Sequence, residues 1–253
     1  MTNAGPDLSG KVAFITGGGT GIGAGIAHAV ADAGAAVVIG GRRKEVLADT
    51  ADAIAQRGGR ARAISFDVTE VDQLRRAADE VVSELGRLDI VVANAGAPPV
   101  PGPVLDMDPD DWKRTIELNL TGMWNTAHVT VPHLIASGGG QVLMIGSSAG
   151  RTRNGEWVGA YGAAKAGVAQ LVRVMAVELA QHNIAVNELT PGLVTTEAIG
   201  AVDGVLPATT VATIREMGEW LKEPDEIGRL ALYVLSLPTN GTSGQSFHLD
   251  RNR

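Results

Sequence analysis

A tyrosine and a lysine four residues apart are the side chains in this sequence with the clearest chemical potential. Tyr161 and Lys165 open an apolar, alanine-rich stretch that predicts a helix, so the two side chains share one helical face. A phenol with an ordinary pKa of about 10 is a poor acid at neutral pH, and a neighbouring ammonium group is expected to lower that pKa. Tyr161 is therefore a candidate general acid and base.

Polar residues upstream give this pair its weight. Ser148 lies thirteen residues before Tyr161 and follows an apolar run that predicts a strand, and Ser147 competes with it for the same position. Asn119 lies in an apolar helical stretch, where an amide must find a partner if it is buried. Strand ends of this kind line the ligand crevice of open α/β sheets, although a turn-capping serine and an ordinary buried amide are the alternatives.

A glycine-rich segment, Thr16–Gly23, follows the first predicted strand and opens a predicted helix over Ala24–Ala33. The pyrophosphate of a dinucleotide needs backbone N–H groups at close range, and a helix N-terminus adds a favourable dipole. Gly17 would allow the turn, Gly21 the close approach, and Gly23 the contact between helix and strand. A flexible loop is the alternative interpretation.

Apolar runs of strand length alternate with helix-period segments along the whole chain. Most of these runs lack polar alternation, which is typical of strands buried on both faces of a parallel sheet. We predict one α/β domain over residues 1–253, with the irregular segment at about 195–221 as a candidate substrate lid. The predicted strands are Val12–Thr16, Ala36–Ile39, Ala61–Phe66, Ile90–Ala93, Gln141–Ile145, Ala185–Glu188 and Gln245–Leu249.

Composition excludes several other classes of protein. A formal net charge of −7 argues against a nucleic-acid partner, and the lack of cysteine excludes disulfides and thiolate metal sites. No apolar run reaches 18 residues, and the first ten residues do not resemble a signal peptide. We expect a cytoplasmic protein with no metal site and no membrane contact.

The spacing Gly-x-x-x-Gly-x-Gly, followed in order by Asn94-Ala95-Gly96, Ser148, Tyr161-x-x-x-Lys165 and Pro191-Gly192, closely resembles the short-chain dehydrogenase/reductase family. The resemblance runs from about Leu8 to Leu249 and matches the shorter, single-domain branch. It implies a Rossmann-type, doubly wound, three-layer α/β/α fold with a seven-stranded parallel sheet in the order 3-2-1-4-5-6-7. It also implies NAD(H) or NADP(H) as cofactor and hydride transfer at a carbonyl or alcohol.

The resemblance assigns a role to each candidate residue. Ser148 would bind the substrate carbonyl oxygen, Tyr161 would exchange its proton, and Lys165 would lower the Tyr161 pKa and bind the nicotinamide ribose. Asn119 would hold a water in a proton relay to Lys165. The residues expected to bind the cofactor are Gly17, Gly19, Thr20, Gly21, Ile22, Gly23, Gly41, Arg42, Arg43, Asp67, Val68, Asn94, Ala95, Gly96, Tyr161, Lys165, Pro191, Gly192, Val194 and Thr196.

The end of the second strand bears on the choice of cofactor. An acidic residue there would bind the 2′-hydroxyl of NAD and repel the 2′-phosphate of NADP. Gly41 occupies that position and is followed by Arg42 and Arg43, whose guanidinium groups suit a phosphate. We predict a preference for NADP(H), with NAD(H) as the alternative; a solvated basic helix start is the plainer interpretation of the two arginines.

The substrate is left open by these motifs. A 3-oxoacyl thioester is one possibility, and an NAD(H)-dependent alcohol, polyol or steroid dehydrogenase is an alternative, as is a dinucleotide-binding sensor that has lost catalysis. Arg151, Arg153 and Trp157 are unusual for the family; they could recognise an anionic substrate or could line a solvated or interface loop. Family members commonly form tetramers, here through helices around Asp110–Ser137 and Gly159–His182.

Overall fold

Short strands of small and β-branched apolar residues form the centre of the protein. The computed structural model describes residues 5–151, 158–202, 205–216 and 220–249, and all statements on structure refer to these. Within them, seven strands form one parallel sheet in the order β3-β2-β1-β4-β5-β6-β7, which confirms the predicted topology. The strands are β1 Val12–Thr16, β2 Ala36–Gly41, β3 Arg60–Ser65, β4 Ile90–Ala93, β5 Gly140–Ile145, β6 Ile184–Thr190 and β7 Ser246–His248.

Helices cover both faces of this sheet in a three-layer, doubly wound arrangement, also as predicted. The helix α1 contacts α2 and α8, while α3 contacts α5 and α4 contacts α6, so the helices fall into two groups. Their bounds are α1 Gly21–Asp32, α2 Lys44–Gln56, α3 Val71–Leu85, α4 Pro109–Ile116, α5 Gly122–Ala136, α6 Gly159–Leu179, α7 Ala208–Glu216 and α8 Pro224–Leu235.

Small residues let these layers approach closely. Phe14 of β1 stacks on Phe66 with ring centroids 5.5 Å apart, and a Cβ on Gly40 would lie 2.1 Å from the Phe66 ring. Glycine is therefore required at Gly40 to admit the aromatic ring. Because the core has so few aromatic residues, alanine, valine, isoleucine and leucine fill the rest of it.

A buried carboxylate ties the amino ends of β1 and β4 together. Asp89 accepts hydrogen bonds from the Val12 amide at 3.0 Å, from Lys11 at 3.1 Å and from the Arg87 guanidinium at 2.6 Å. Burial disfavours its charged form, but the combined hydrogen bonds outweigh burial and lower the pKa of Asp89. This anchor lies at the end of the sheet opposite to the candidate site.

No described helix is both long and apolar enough to cross a membrane. In the same part of the chain, no three side chains of the metal-binding types gather closely enough to hold a metal ion.

Candidate active site

Tyr161 and Lys165 lie in the first two turns of α6, beside the carboxyl end of β5. The Lys165 Nζ is 5.7 Å from the centre of the Tyr161 ring. It donates a hydrogen bond to the carbonyl oxygen of Ile145, the last residue of β5, at 2.8 Å, and lies 3.9 Å from the Met123 Sδ. Only 4% of Lys165 is exposed, so its position is fixed by the surrounding core.

Burial dominates the electrostatics of the pair. It raises the pKa of Tyr161 above the ordinary value of 10.0, and a hydrogen bond with the Ser147 side chain opposes this only in part. Burial also lowers the pKa of Lys165 to about 7, and the charge of Glu188 acts in the opposite direction. Desolvation of the phenolate therefore sets the net direction of the Tyr161 pKa shift, and the lowering expected from Lys165 stays a prediction.

Two adjacent serines follow β5 at the turn nearest the phenol. Ser147 caps the 3₁₀ turn Ser148–Gly150, and its Oγ accepts a hydrogen bond from the Ala149 amide at 3.2 Å. The Ser147 side chain also forms a hydrogen bond with Tyr161. Ser148 lies one residue further along the same turn. Sequence spacing favours Ser148, and the contact with Tyr161 makes Ser147 a second candidate.

Asn119 lies in a π-helical turn, Glu117–Thr121, between α4 and α5. Its Nδ2 donates to the Thr115 carbonyl at 3.1 Å, and its Oδ1 accepts from the Ala97 amide at 3.1 Å. The side chain is 1% exposed. Its two hydrogen bonds join the helix to the segment after β4. Single π-helical turns occur frequently at functional sites, and no sequence pattern predicted this one. The predicted water relay to Lys165 stays a prediction.

The glycine-rich turn has the geometry that its sequence predicted. Gly17 and Gly21 adopt positive φ angles of 66° and 53°, and a Cβ on Gly23 would lie 2.1 Å from the Gly17 carbonyl oxygen. Asn94 holds the turn from the neighbouring strand, since its Nδ2 donates to the Thr16 and Gly17 carbonyls at 2.9 and 3.1 Å. Because α1 begins at Gly21 with no acidic residue in its first turn, the cradle fits an anionic pyrophosphate.

Arginines and open space lie at the end of β2. A Cβ on Gly41 would meet its nearest neighbours at 3.8 and 4.0 Å, which is ordinary contact. Arg43 donates to the Thr20 Oγ1 at 3.2 Å and to the Glu197 Oε2 at 3.0 Å. The Arg42 guanidinium is mostly exposed and lies 4.0 Å from the Asp67 carboxylate.

A cavity of about 380 Å³ adjoins this end of the sheet and is lined by Arg42, Asp67, Thr69, Lys113, Arg114, Glu117 and Leu118. Of the other residues predicted on this side, Val68 is buried, and Ala95 and Gly96 follow β4 directly. A larger cavity, about 830 Å³, opens between α1 and α8 and includes neither Tyr161 nor Lys165. The larger cavity therefore lacks the candidate catalytic groups, whereas the smaller one includes Arg42 and Asp67, which were predicted to bind the cofactor.

The segment after β6 covers the start of α1. Gly192 has a positive φ of 68°, and a Cβ on Gly21 would lie 2.9 Å from the Thr196 Cγ2. Val194 and Lys222 form an isolated parallel β-bridge. The described parts of the predicted lid have a small apolar cluster of their own, formed by Ala201, Leu206 and Ile214. Thr196 thus lies against Gly21 of the glycine-rich turn.

Arg151 contacts β6 and β7 from an exposed position in the turn after β5. Its guanidinium lies 2.6 Å from the Glu188 Oε2 of β6 and 2.9 Å from the His248 Nε2 of β7, and it also contacts the Ser246 hydroxyl. Sequence reasoning missed Glu188, whose signal was a carboxylate inside a mostly apolar strand. Arg153 and Trp157 lie outside the described residues.

Comparison with known proteins agrees with this geometry. The family model for short chain dehydrogenases matches residues 11–203. The chain belongs to the short-chain dehydrogenase/reductase family. It is an NAD(P)-dependent oxidoreductase of the class that interconverts alcohols and ketones.

Relatives of this dehydrogenase are similar over nearly its whole length. The 7alpha-hydroxysteroid dehydrogenase of Escherichia coli K12 is 36% identical over 244 residues, covering 94% of this chain and 92% of the relative. The carveol dehydrogenase of Mycobacterium avium, solved with NAD, has 31% identity and a TM-score of 0.87, covering 96% and 97% of the two chains. A structure from Beutenbergia cavernae, with NADP at low occupancy, has 31% identity and a TM-score of 0.86, covering 97% and 98%.

Proposed function

We propose that this dehydrogenase uses NADP(H) to interconvert a ketone and a secondary alcohol, with Tyr161 as the general acid and base. The observation that carries the proposal is the position of the Tyr161 phenol. It lies beside the Lys165 ammonium and within hydrogen-bond reach of Ser147, at the same edge of the sheet as the glycine-rich turn. The test is turnover of a panel of carbonyls and alcohols, followed by nicotinamide absorbance with each cofactor.

The residues divide the chemistry between them. The bound nicotinamide would supply or accept the hydride. Tyr161 donates its phenolic proton to the carbonyl oxygen in reduction and removes it from the alcohol in oxidation. Its raised pKa keeps the phenol protonated at neutral pH, which suits the reductive direction. Lys165 holds a positive charge near the developing oxyanion. Asn119 stabilises the π-helical turn in which it lies by its hydrogen bond to the Thr115 carbonyl.

One serine hydroxyl would bind the substrate oxygen, and two are available. The spacing favours Ser148, whereas the hydrogen bond to Tyr161 favours Ser147. We expect Ser147→Ala to reduce kcat by about 10²–10³, the usual cost of losing one donor to the reacting oxygen. Ser148→Ala is the paired comparison, and we expect the smaller loss there. The reverse outcome would assign the role to Ser148.

The NADP(H) preference is supported by charge at the end of β2. Gly41 would leave room for the ribose, and Arg42 and Arg43, the next two residues, would be the phosphate partners. The carboxylates of Asp67 and Glu197 already contact these arginines, so the phosphate would displace or share those contacts. NAD(H) is the alternative, favoured by the relatives solved with NAD and NADH.

Substrate choice would be set by the lid at about 195–221. Relatives that act on hydroxysteroids and carveol favour cyclic secondary alcohols over a 3-oxoacyl thioester. The panel should therefore pair cyclic ketones and steroid alcohols with thioester substrates. Cofactor binding with no turnover of any of them would support the sensor alternative.

A homotetramer and a cytoplasmic location complete the proposal. Trp124 of α5 and Val174 and Val177 of α6 are exposed, at 45%, 42% and 80%, on the helices expected to form the interface. The lack of cysteine allows a reducing compartment. A sedimentation mass equal to one chain would contradict the tetramer, and cell fractionation tests the location.

A further inference from the structure

A buried carboxylate lies next to the proposed acid–base pair without having been assigned a role. Glu188 is 0% exposed and sits on β6, in register with Met144 of β5 and Ser246 of β7. Its Oε2 accepts from the Arg151 guanidinium at 2.6 Å and also contacts the Ser246 hydroxyl. Its Oε1 has no hydrogen-bond partner among the described residues. Burying a carboxylate with one unpartnered oxygen costs folding free energy, which indicates that Glu188 has a function.

The free oxygen points toward the strand end that holds the catalytic candidates. A Cβ on Gly146 would lie 2.0 Å from the Glu188 Oε1, so glycine is needed there to admit the carboxylate. Gly146 comes directly after Ile145, whose carbonyl binds Lys165, and directly before Ser147, which bonds to Tyr161. The carboxylate thus lies behind the backbone that supports both groups.

Lys165 needs a counter-charge in this position. Its described partners are a carbonyl oxygen and a thioether sulfur, neither of which carries a charge. A lysine buried this deeply tends to lose its proton, and the charge of Glu188 is what opposes that tendency. The other charged or titratable groups are Arg151, which contacts Glu188 from the turn after β5, His248 on β7, which contacts Arg151, and Tyr161 on α6, which lies beside Lys165.

We propose that Glu188 is a positioning residue that keeps Lys165 charged, and that Arg151 holds Glu188 in place instead of binding an anionic substrate. This inference rests on the proposed function of the Tyr161–Lys165 pair. Arg151 and Glu188 act with opposite sign on Lys165, because the carboxylate favours the ammonium and the guanidinium disfavours it. That difference in sign separates an electrostatic role from a structural one.

The test is the pH dependence of kcat/KM in single variants. Glu188→Gln keeps an oxygen that can accept from Arg151 and fits beside Gly146, but removes the charge. We expect its alkaline limb, which reports the coupled pair, to move to lower pH by roughly one unit. Arg151→Gln should move the same limb to higher pH. Glu188→Asp keeps the charge and should restore the wild-type profile.

Asp89→Asn is the matched control, since Asp89 is an arginine-paired, buried carboxylate at the opposite end of the sheet. It should lower thermal stability and leave the pH profile unchanged. Identical profiles for Glu188→Gln, Arg151→Gln and Asp89→Asn would overturn the proposal. Should Glu188→Gln fail to fold, the direction of the shift in Arg151→Gln still decides the sign.

A second measurement does not depend on turnover. The chain has five lysines, so a protein labelled with ¹³C at lysine Cε gives few signals, and loss of one signal in Lys165→Met assigns it. The Lys165 signal should titrate at lower pH in Glu188→Gln than in the wild type. An unchanged titration would refute the role of Glu188, whereas a wild-type protein that turns over no substrate would refute the proposed function alone.

Discussion

Replacing Gly41 by aspartate should reverse the cofactor preference. The Cβ of the new side chain would make ordinary contacts, at 3.8 Å from the Leu47 Cδ2 and 4.0 Å from the Gly17 Cα, so the fold should tolerate it. Its carboxylate would extend into the space that we assign to the 2′-phosphate of NADP. The same carboxylate could accept a hydrogen bond from the 2′-hydroxyl of NAD.

The size of the effect follows from charge and exposure. Two unit charges about 4 Å apart repel by about 1 kcal/mol in water and about 4 kcal/mol at a protein surface. A phosphate monoester carries nearly two charges at neutral pH, and Gly41 is half-buried, so at least about 2 kcal/mol is expected, a loss of about 30-fold with NADPH. One new hydrogen bond of about 1 kcal/mol should improve NADH use by about fivefold.

The assay is kcat/KM for each reduced cofactor at a fixed concentration of one carbonyl substrate. Gly41→Asn is the control, because it has nearly the same shape without the charge. It should lose much less with NADPH than Gly41→Asp does. Equal losses with NADPH and NADH in Gly41→Asp, or a wild type that uses both cofactors equally well, would refute the assignment of this strand end to the 2′-phosphate.

Two further predictions concern the frame of the site. Gly23→Ala should destabilise the fold by about 1–3 kcal/mol and weaken cofactor binding, because its Cβ would lie 2.1 Å from the Gly17 carbonyl oxygen; thermal unfolding and a fluorescence titration check this, and wild-type values in both would contradict it. Asp89→Asn should cost about 1–3 kcal/mol at neutral pH, since it weakens charge-assisted hydrogen bonds in a buried site. Because folding lowers the Asp89 pKa, the stability difference from wild type should be fully present above the ordinary value of 3.8 and shrink as the pH falls below it; a difference that grows in acid, measured by denaturant unfolding, would reverse this sign.

Much of the fold could be predicted because its signals are local. The runs Val12–Ile15 and Ile90–Ala93 are apolar throughout, and both β1 and β4 have the predicted bounds. Strand ends that depend on contacts with neighbouring elements differ from the prediction. The predicted strand Ala61–Phe66 begins at Arg60 and ends before Phe66, whose ring packs in the core. Asn119, in the π-helical turn, accepts a hydrogen bond from the backbone amide of Ala97, which is distant in the sequence. Hydrophobic periodicity therefore could not predict this turn.

The candidate site divides in the same way. Tyr161 and Lys165 were visible because four residues span one helical turn, and the glycine-rich turn because glycine tolerates positive φ. The direction of the Tyr161 pKa shift could not be predicted, since it depends on burial by elements far away in the sequence. Glu188 and Arg151 are 37 residues apart, and only the pairing of β5 with β6 brings them together.

The most direct test of the central claim is Tyr161→Phe, compared with Tyr233→Phe. These are the two tyrosines of the chain, and Tyr233 is 53% exposed on α8, so its replacement controls for loss of a phenol in general. The account predicts that Tyr161→Phe binds NADPH as the wild type does and loses turnover by about 10²–10⁴. It predicts that Tyr233→Phe keeps full activity. Full turnover in Tyr161→Phe would contradict the account.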